Sequence, residues 1–215
     1  MTVCARFGLA ERVTVTQRLP LTTTTLAEVC RRENIPTIDV LYLDIHELSA
    51  LQGAGEYLQH TLCVQTEVEF VPLYRGQPLF GDIDAFLRSQ GFALFALGGR
   101  NYSRVAAAVY SKVRGGQMVW GEALYLRDPL AMPERNLPLL KDLPALVKLA
   151  CVAEILDYPD FAVEILTYLT TRHGLNPRYN FASLLLSCLQ TLAPDLDLPL
   201  ISLLRRHLPQ PCTNT

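Results

Sequence analysis

Val40-Leu41-Tyr42-Leu43-Asp44 is the segment on which the fold assignment depends. Its first four residues are apolar without alternation, which is typical of a parallel strand covered on both faces. A capping-box sequence that starts at Thr25 predicts a helix ending before Pro36. A second, short helix is predicted over residues 46–52, with Gly53 as its C-terminal cap. Strand and helix therefore alternate around this segment, which favours an α/β fold.

The alternation of strands and helices continues toward residue 127. Strands are predicted over residues 12–17, 62–71, 92–97 and 122–127. A helix that opens at Asp82 and ends at Gly91 precedes the third of these strands. We expect the last two strands to pair antiparallel across the loop between them. The region as a whole is predicted to form an α/β sheet with parallel strands.

The chain changes character near Met132. Beyond this point apolar residues recur at helical spacing, as at Leu139, Leu143, Leu146 and Ala150, and the pattern predicts three or four helices in antiparallel hairpins. A proline-punctuated stretch, residues 128–138, is predicted as the linker. We therefore expect an α/β region over residues 1–132 and an all-α helical extension over residues 133–215. The extension is interpreted as a packing element, with a partner-binding surface as the alternative.

The composition excludes several classes of protein. The chain has 215 residues, of which 19 are Lys or Arg and 21 are Asp or Glu, so its net charge is -2. A near-neutral chain has no electrostatic basis for wrapping nucleic acid, and no basic membrane-binding patch is evident. No apolar stretch reaches the length of a membrane-spanning helix, and the first residues lack a signal-peptide pattern. The sequence therefore predicts a soluble, cytoplasmic protein.

The cysteine pattern indicates a reducing environment. Six Cys are present, and none lies in a Cys-x-x-Cys pair. This spacing argues against a zinc ribbon and against a disulfide-rich secreted scaffold. Cys63, Cys151 and Cys188 fall in apolar runs, where cysteine usually acts as a small core residue. We expect reduced, structural cysteines.

Carboxylates at the ends of two predicted strands are the first candidates for chemistry. Ligands collect at the carboxyl ends of strands in open α/β sheets, and Asp44 occupies such a position. It is equally well placed to cap the next helix. Glu67 and Glu69 lie two residues apart on one strand, so they share a face about 7 Å apart. They form either a polar cluster at the ligand end of the sheet or the solvated face of an edge strand.

Other motifs with a known chemistry are missing from the sequence. No Gly-x-Gly-x-x-Gly loop follows a predicted strand, and the chain has no Walker loop, His-Glu-x-x-His pair or Gly-x-Ser-x-Gly elbow. The four His are dispersed, which argues against a histidine metal site. Tyr74 and Trp120 lie beside turns, where each could line a cleft or form the rim of the core.

Four segments between residues 22 and 128 carry a family resemblance. The most specific is the block Gln65-Thr66-Glu67-Val68-Glu69-Phe70-Val71-Pro72-Leu73-Tyr74 with Gly76-Gln77-Pro78-Leu79-Phe80. The others are Thr24 to Val29 with Ile38 to Asp44, Glu47 to Ala54, and Phe86 to Phe92 with Trp120 to Tyr125. In this order they resemble the FkbM family of S-adenosylmethionine-dependent methyltransferases.

The resemblance implies an activity and a set of residues for it. It implies methyl transfer from S-adenosylmethionine to an oxygen of a small molecule or sugar. The catalytic carboxylates would be Asp44, Glu67 and Glu69, with Asp44 and Glu47 at the acidic cofactor-binding positions. Tyr74 would shape the acceptor site. The implied fold is a partial Rossmann-like methyltransferase sheet with the helical extension behind it.

Two departures from the family pattern are visible. The glycine-rich turn that holds the methionine end of the cofactor lies upstream in the family, and this chain is expected to begin too late to contain it. The segment Asp44-Ile45-His46-Glu47-Leu48 is two residues shorter than the family's acidic motif and lacks its glycine. These departures favour a second hypothesis, a non-catalytic module that binds a partner through its Leu-rich helices.

Two further expectations concern metal and partners. A metal site formed by Asp44, Glu67 and Glu69 is the third and weakest hypothesis. A sheet that lacks its opening strands leaves one edge exposed, and exposed edges are usually covered. We therefore expect the helices, a second copy of the chain or a partner chain to cover that edge.

Overall fold

The computed structural model describes residues 6–9, 15–45, 48–106, 109, 111–192 and 199–208. The chain divides into two compact units, Met1–Asp128 and Pro129–Thr215. The sequence placed the change of character a few residues later, near Met132. The first unit contains every strand of the sheet, and the described part of the second unit is helical. The predicted class, an α/β sheet region followed by an all-α extension, is confirmed.

The sheet of the first unit is mixed. Its strands are β1 (Val40–Leu43), β2 (Cys63–Glu69), β3 (Phe92–Leu97), β4 (Arg100–Tyr102) and β5 (Gln117–Arg127). Their order is β1-β2-β5-β3, and β4 also pairs with β5. β1 and β2 are parallel, whereas β5 runs antiparallel to β2, β3 and β4. The predicted antiparallel pairing of the last two long strands is confirmed.

Two predictions about the sheet need correction. A parallel sheet was expected, but parallel pairing is limited to β1 and β2 because β5 returns between β2 and β3. β2 has neighbours on both sides, so Glu67 and Glu69 do not lie on an edge strand. Of the strand predicted over residues 12–17, residues 15–17 are exposed and outside any strand, and the rest lie outside the described residues.

Among the described residues, three complete α-helices accompany the strands, and polar side chains cap the first and the third of them. They are α1 (Leu26–Arg32), α2 (Leu48–Gln52) and α3 (Phe80–Ser89), with a 3-10 helix over Gly55–Gln59. The Thr25 hydroxyl accepts the Glu28 N–H at 3.2 Å, as the capping box predicts. The Glu28 carboxylate accepts a hydrogen bond from the Thr24 hydroxyl. At α3, the Asp82 carboxylate accepts the Leu79 N–H at 2.8 Å.

One face of the sheet carries the core of the first unit. Leu41, Val64, Val68, Ala123 and Tyr125 project from alternate positions of β1, β2 and β5. They pack with Leu51, Leu58, Ile83, Leu87 and Phe92 from the helices and β3. Burying one such side chain contributes about 1.5–3 kcal/mol. Successive side chains of a strand point to opposite faces, so these apolar residues all lie on the core face and the residues between them lie on the other.

A buried arginine closes one end of the sheet. The guanidinium of Arg127 donates to the carbonyls of Thr61, Gln90 and Leu58 at 2.7, 2.7 and 2.6 Å. It lies 4.4 Å from the centre of the Phe92 ring, within the range of a cation–π contact. Burial lowers the pKa of Arg127 to about 10, so the side chain stays charged at neutral pH. Backbone carbonyls and an aromatic ring thus replace its hydration shell.

The second unit contains more helices than the sequence predicts. They are α4 (Leu137–Lys141), α5 (Leu143–Ile155), α6 (Pro159–His173), α7 (Ala182–Leu192) and α8 (Pro199–Arg205). A continuous helix was expected across residues 139–150. It is interrupted because the Asp142 carboxylate caps α5 by accepting the Ala145 N–H at 3.1 Å. None of the described helices has the length and apolar character needed to cross a membrane.

The cysteines only partly follow their prediction. Cys63 is a buried, free thiol at the start of β2, and burial raises its pKa to about 11. Cys151 and Cys188 are free but exposed, so their assignment to the core is wrong. Cys151 directly follows the buried Ala150 on α5. A one-residue difference in phase is enough to move a side chain from the core to the surface of a helix.

Candidate active site

The second face of the sheet carries polar side chains. Tyr42, Gln65, Glu67 and Glu122 occupy the alternate positions of β1, β2 and β5 that the core does not use. We call these four residues the polar face. The register places Tyr42 opposite Gln65, and Glu67 opposite Glu122. Residues far apart in sequence are thereby brought together by strand pairing.

Asp44 lies where β1 ends. The last register pair of β1 is Leu43 with Thr66, so Asp44 follows at the level of Glu67. Its carboxylate is the main cause of a raised pKa at the Tyr42 phenol, followed by burial and by the charges of Glu122 and Glu67. A phenolate beside three carboxylates is disfavoured, so Tyr42 keeps its proton and can donate a hydrogen bond. The structure therefore places the carboxylates of Asp44 and Glu67 near the same phenol.

Glu67 and Glu122 form a pair of like charges across two strands. They are directly opposite in an antiparallel ladder, a placement that costs stability in the absence of compensating partners. Gln65 offers one partner, since its Nε2 donates to Glu122 Oε2 at 3.1 Å. Glu67 is half-buried and Glu122 is exposed. Two carboxylates held side by side on an accessible face form a candidate binding or catalytic site.

Glu69 differs from Glu67 although both lie on the same side of β2. It stands opposite Trp120 and is only 1% exposed. A carboxylate this deeply buried does not meet an acceptor that arrives from solvent. The structure thus favours Glu67 over Glu69 for contact with a ligand.

Tyr74 lies in the loop between β2 and α3. This loop is held by Gln77, whose buried Oε1 accepts the N–H groups of Leu73 and Tyr74 at 2.7 and 3.4 Å. Gly76, at φ 77°, makes the turn between them, a conformation that favours glycine. The Tyr74 side chain is 46% exposed. The predicted cofactor residue Glu47 and its neighbour His46 lie outside the described residues.

A pocket of about 290 Å³ opens beside the polar face. It is lined by Glu67, Glu122, Trp120, Arg100, Gly98, Gly99 and Gly121. Glu67 is therefore the only one of the predicted catalytic carboxylates in its lining. Trp120 also packs against the apolar cluster that contains Phe7 and Val119, so it serves both as core rim and as pocket wall. Tyr74 is not among the described lining residues.

The family assignment rests on the first part of the chain. A family model described as the methyltransferase FkbM domain matches residues 7–94. Over these residues the chain is similar to the FkbM methyltransferase domain. The resemblance read from the sequence is confirmed for this stretch. No curated protein matches the chain, and no solved structure matches it.

The FkbM match contains some of the site residues and leaves others out. It includes β1, β2 and α3, and with them Asp44, Glu67 and Glu69. Trp120 and Glu122 lie on β5, outside the matched range. Sequence reasoning placed Trp120 near a cleft but did not select Glu122, Gln65 or Arg100. Glu122 could have been found from its spacing. It lies two residues after Trp120, so both side chains point to the same face of a strand that could pair with β2.

The described residues around Tyr42 suit one end of a sulfonium methyl donor. Asp44, Glu67 and Glu122 surround the Tyr42 phenol with negative charge, and aromatic rings beside carboxylates suit a cationic group. None of the described strands is followed by a glycine-rich turn into a helix. The described residues therefore fit the sulfonium and do not identify a holder for the methionine end. No cluster of three metal-binding side chains occurs among them either.

Proposed function

We propose that the FkbM domain transfers a methyl group from S-adenosylmethionine to a hydroxyl oxygen of a small molecule or sugar. The observation that carries this proposal is the position of Glu67. It is half-buried, lines a pocket and stands at the level where β1 ends beside Asp44. A carboxylate in such a place can accept a hydrogen bond from an acceptor hydroxyl.

Glu67 has the role of general base in this proposal. S-adenosylmethionine supplies an electrophilic methyl group on a sulfonium, and the reaction is an in-line displacement. Glu67 orients the acceptor hydroxyl and takes its proton as the oxygen forms its new bond. Protonation of Glu67 also removes its repulsion with Glu122 across the strands. Asp44 contributes negative charge on the donor side and keeps Tyr42 protonated.

A donor-binding and transfer experiment tests the proposal. Calorimetric titration of the full chain with S-adenosylmethionine should show saturable binding, and labelled donor should transfer its methyl group to a hydroxyl-bearing acceptor. Glu67→Gln should lower the rate about 10²–10⁴-fold, as expected on loss of a general base. Glu154→Gln, an exposed change on α5, is the matched control. Absence of donor binding would rule out catalysis by this chain alone.

A non-catalytic binding module is the second candidate function. Among the described strands β1 pairs only with β2, and its Val40 and Tyr42 side chains are 51% and 56% exposed. An open edge with apolar side chains favours pairing with a strand of another chain. Light scattering after size-exclusion chromatography would support this role if the chain is oligomeric and Val40→Lys makes it monomeric. A monomeric wild-type chain that binds the donor would contradict it.

A further inference from the structure

The pocket beside the polar face has dimensions that restrict its ligand. Its volume is about 290 Å³. Ligand pockets in proteins span about 300–1,000 Å³, so this one lies at the small end of the range. One small ring fits such a volume, whereas an extended chain or a nucleotide does not. The pocket is therefore suited to a single ring-sized group.

Close backbone contacts form one wall of the pocket. A Cβ at Gly121 would lie 1.9 Å from the carbonyl oxygen of Gly98, and one at Gly99 would lie 2.8 Å from the sulfur of Met118. The Gly98 N–H donates to the carbonyl of Glu122 at 2.8 Å. The turn between β3 and β4 thus fits against β5 because Gly121 has no Cβ, whereas the Met118 side chain could move away from a Cβ at Gly99. The backbone at Gly98 and Gly121 therefore forms this wall.

The aromatic part of the lining is a single indole ring. Trp120 lies opposite Arg100 on β4 and is held by the Tyr102 ring, with 4.6 Å between the ring centres. Trp120 and Tyr102 both pack, partly buried, against the apolar cluster with Val119. A restrained indole that borders an open pocket offers an apolar surface for stacking. The C–H face of a sugar ring is a surface of matching shape and polarity.

The polar part of the lining selects ligands that donate hydrogen bonds. Ionised Glu67 and Glu122 only accept, and opposite residues in an antiparallel pair place their Cβ atoms about 4.5–5.5 Å apart. Two neighbouring carboxylates against one guanidinium disfavour an anionic ligand. The described residues contain no group of three or more Asp, Glu, Cys or His side chains that could hold a metal ion together with this pair. Several hydroxyl donors on one ring satisfy both carboxylates.

We propose that this pocket binds a neutral sugar ring, stacked on Trp120, with its hydroxyl groups donating to Glu67 and Glu122. Arg100 donates to a ring or hydroxyl oxygen at the rim. The inference rests on the proposed function in one respect, since the hydroxyl bound to Glu67 is the methyl acceptor. The binding itself does not depend on methyl transfer. Glu122 and Trp120 become specificity-determining residues outside the segment matched to the family.

The single tryptophan of the chain makes the pocket directly observable. Trp120 is the only Trp in the sequence, so the intrinsic indole fluorescence of the full chain reports on this site alone. Titration with methyl β-D-glucopyranoside, galactopyranoside and α-D-mannopyranoside should give a saturable change for at least one of them. For a small ligand we expect a Kd on the order of 1 mM. Cyclohexanol, a ring without the hydroxyl set, and D-glucuronate, an anionic ring, should bind at least tenfold more weakly, about the effect of one charge-assisted hydrogen bond.

Variants test which side chains hold the sugar. Glu122→Gln should weaken binding of the responsive glycoside about tenfold, because a charge-assisted hydrogen bond is replaced by a neutral one. Arg100→Ala, an exposed change, should weaken it less, and Glu154→Gln should leave it unchanged. Circular dichroism checks that each variant is folded. No saturable response to any of the three glycosides, an equal response to cyclohexanol, or an unaltered Kd in Glu122→Gln would overturn the proposal.

Failure of this inference can be separated from failure of the proposed function. Saturable glycoside binding without donor binding supports the sugar pocket and contradicts methyl transfer by the chain. Donor binding and methyl transfer to an acceptor other than a sugar, without a glycoside response, contradict the sugar pocket alone. The fluorescence and calorimetric titrations are independent measurements on the same protein.

Discussion

Alternate residues of β1, β2 and β5 produce two faces of opposite character. On one face Leu41, Val64 and Tyr125 are buried beneath the helices. On the other face Tyr42, Gln65 and Glu122 remain accessible, with Glu67 between them. The comparison shows that the core and the candidate site use separate sets of residues on the same strands. Each face can therefore be altered while the other is kept as a control.

The largest effect is expected on the core face. Leu87 of α3 is fully buried against this face. Leu87→Ala should lower the free energy of unfolding by about 2–5 kcal/mol, through lost burial and the cavity left behind. Urea unfolding followed by the fluorescence of Trp120 measures this in the first unit, where the only tryptophan lies.

A matched leucine provides the control for this first prediction. Leu21 is 81% exposed, and Leu21→Ala should change the free energy of unfolding by less than about 0.5 kcal/mol. Equal losses in the two variants would show that the helices do not protect the core face in solution. The assignment of Leu87 to a buried core face would then be wrong.

Local sequence patterns predicted the core face well. Alternation along residues 64–70 assigns Val64, Val68 and Phe70 to one side and Gln65 and Glu67 to the other, because successive side chains of a strand point in opposite directions. Residues 92–97 were predicted as a strand, and Asp82 and Gly91 were predicted as the start and end of a helix, close to β3 and α3 of the structure. Such information is contained within a few neighbouring residues.

Strand order and the composition of the site were not contained in local patterns. Glu122 faces Glu67 because β5 returns between β2 and β3, and the register of strands so far apart in sequence is set by tertiary packing. A parallel sheet was expected because local patterns do not show that β5 returns between β2 and β3. In the second unit, Asp142 followed by Leu143-Pro144 is a sequence typical of a helix start. A continuous helix was predicted there because leucines recur at helical spacing on both sides of it.

The second prediction concerns the like-charge pair on the polar face. Glu122→Gln should raise the free energy of unfolding by about 0.2–1 kcal/mol, since it removes a repulsion while the amide oxygen still accepts from Gln65. The same variant is expected to bind glycosides more weakly. A gain in stability with a loss of binding would show that the polar face is kept for its ligand.

A double-mutant cycle sharpens this second prediction. Once Glu67→Gln has removed one charge, Glu122→Gln should add almost nothing to stability, because the repulsion is already gone. Urea unfolding of the wild type, both single variants and the double variant measures the coupling. A destabilised Glu122→Gln, or additive effects, would show that the two carboxylates do not repel each other in the folded chain.

The smallest effect is expected at Tyr42, which lies on the exposed half of the polar face. Its pKa is raised above the ordinary value of 10.0, and Asp44 is the first cause. Asp44→Asn should therefore lower the pKa of Tyr42 toward that value, and Glu122→Gln should lower it less. The resonance of ¹³C-labelled tyrosine, assigned by its loss in Tyr42→Phe, follows the titration.

The sign of the accompanying stability change follows from linkage. The folded-state pKa of Tyr42 is above its unfolded value. At a pH near and above about 10, the folded chain therefore binds more protons than the unfolded chain does. This contribution is fully present below the unfolded pKa and is lost as the pH rises through the folded one. Asp44→Asn should make the loss shallower, with Asp160→Asn, an exposed change on α6, as the control. A larger shift of the Tyr42 titration in Glu122→Gln than in Asp44→Asn would show that the carboxylate nearest the phenol lies on β5. The proposed donor side of the polar face would then lie beside Glu122 on β5 and not at the end of β1.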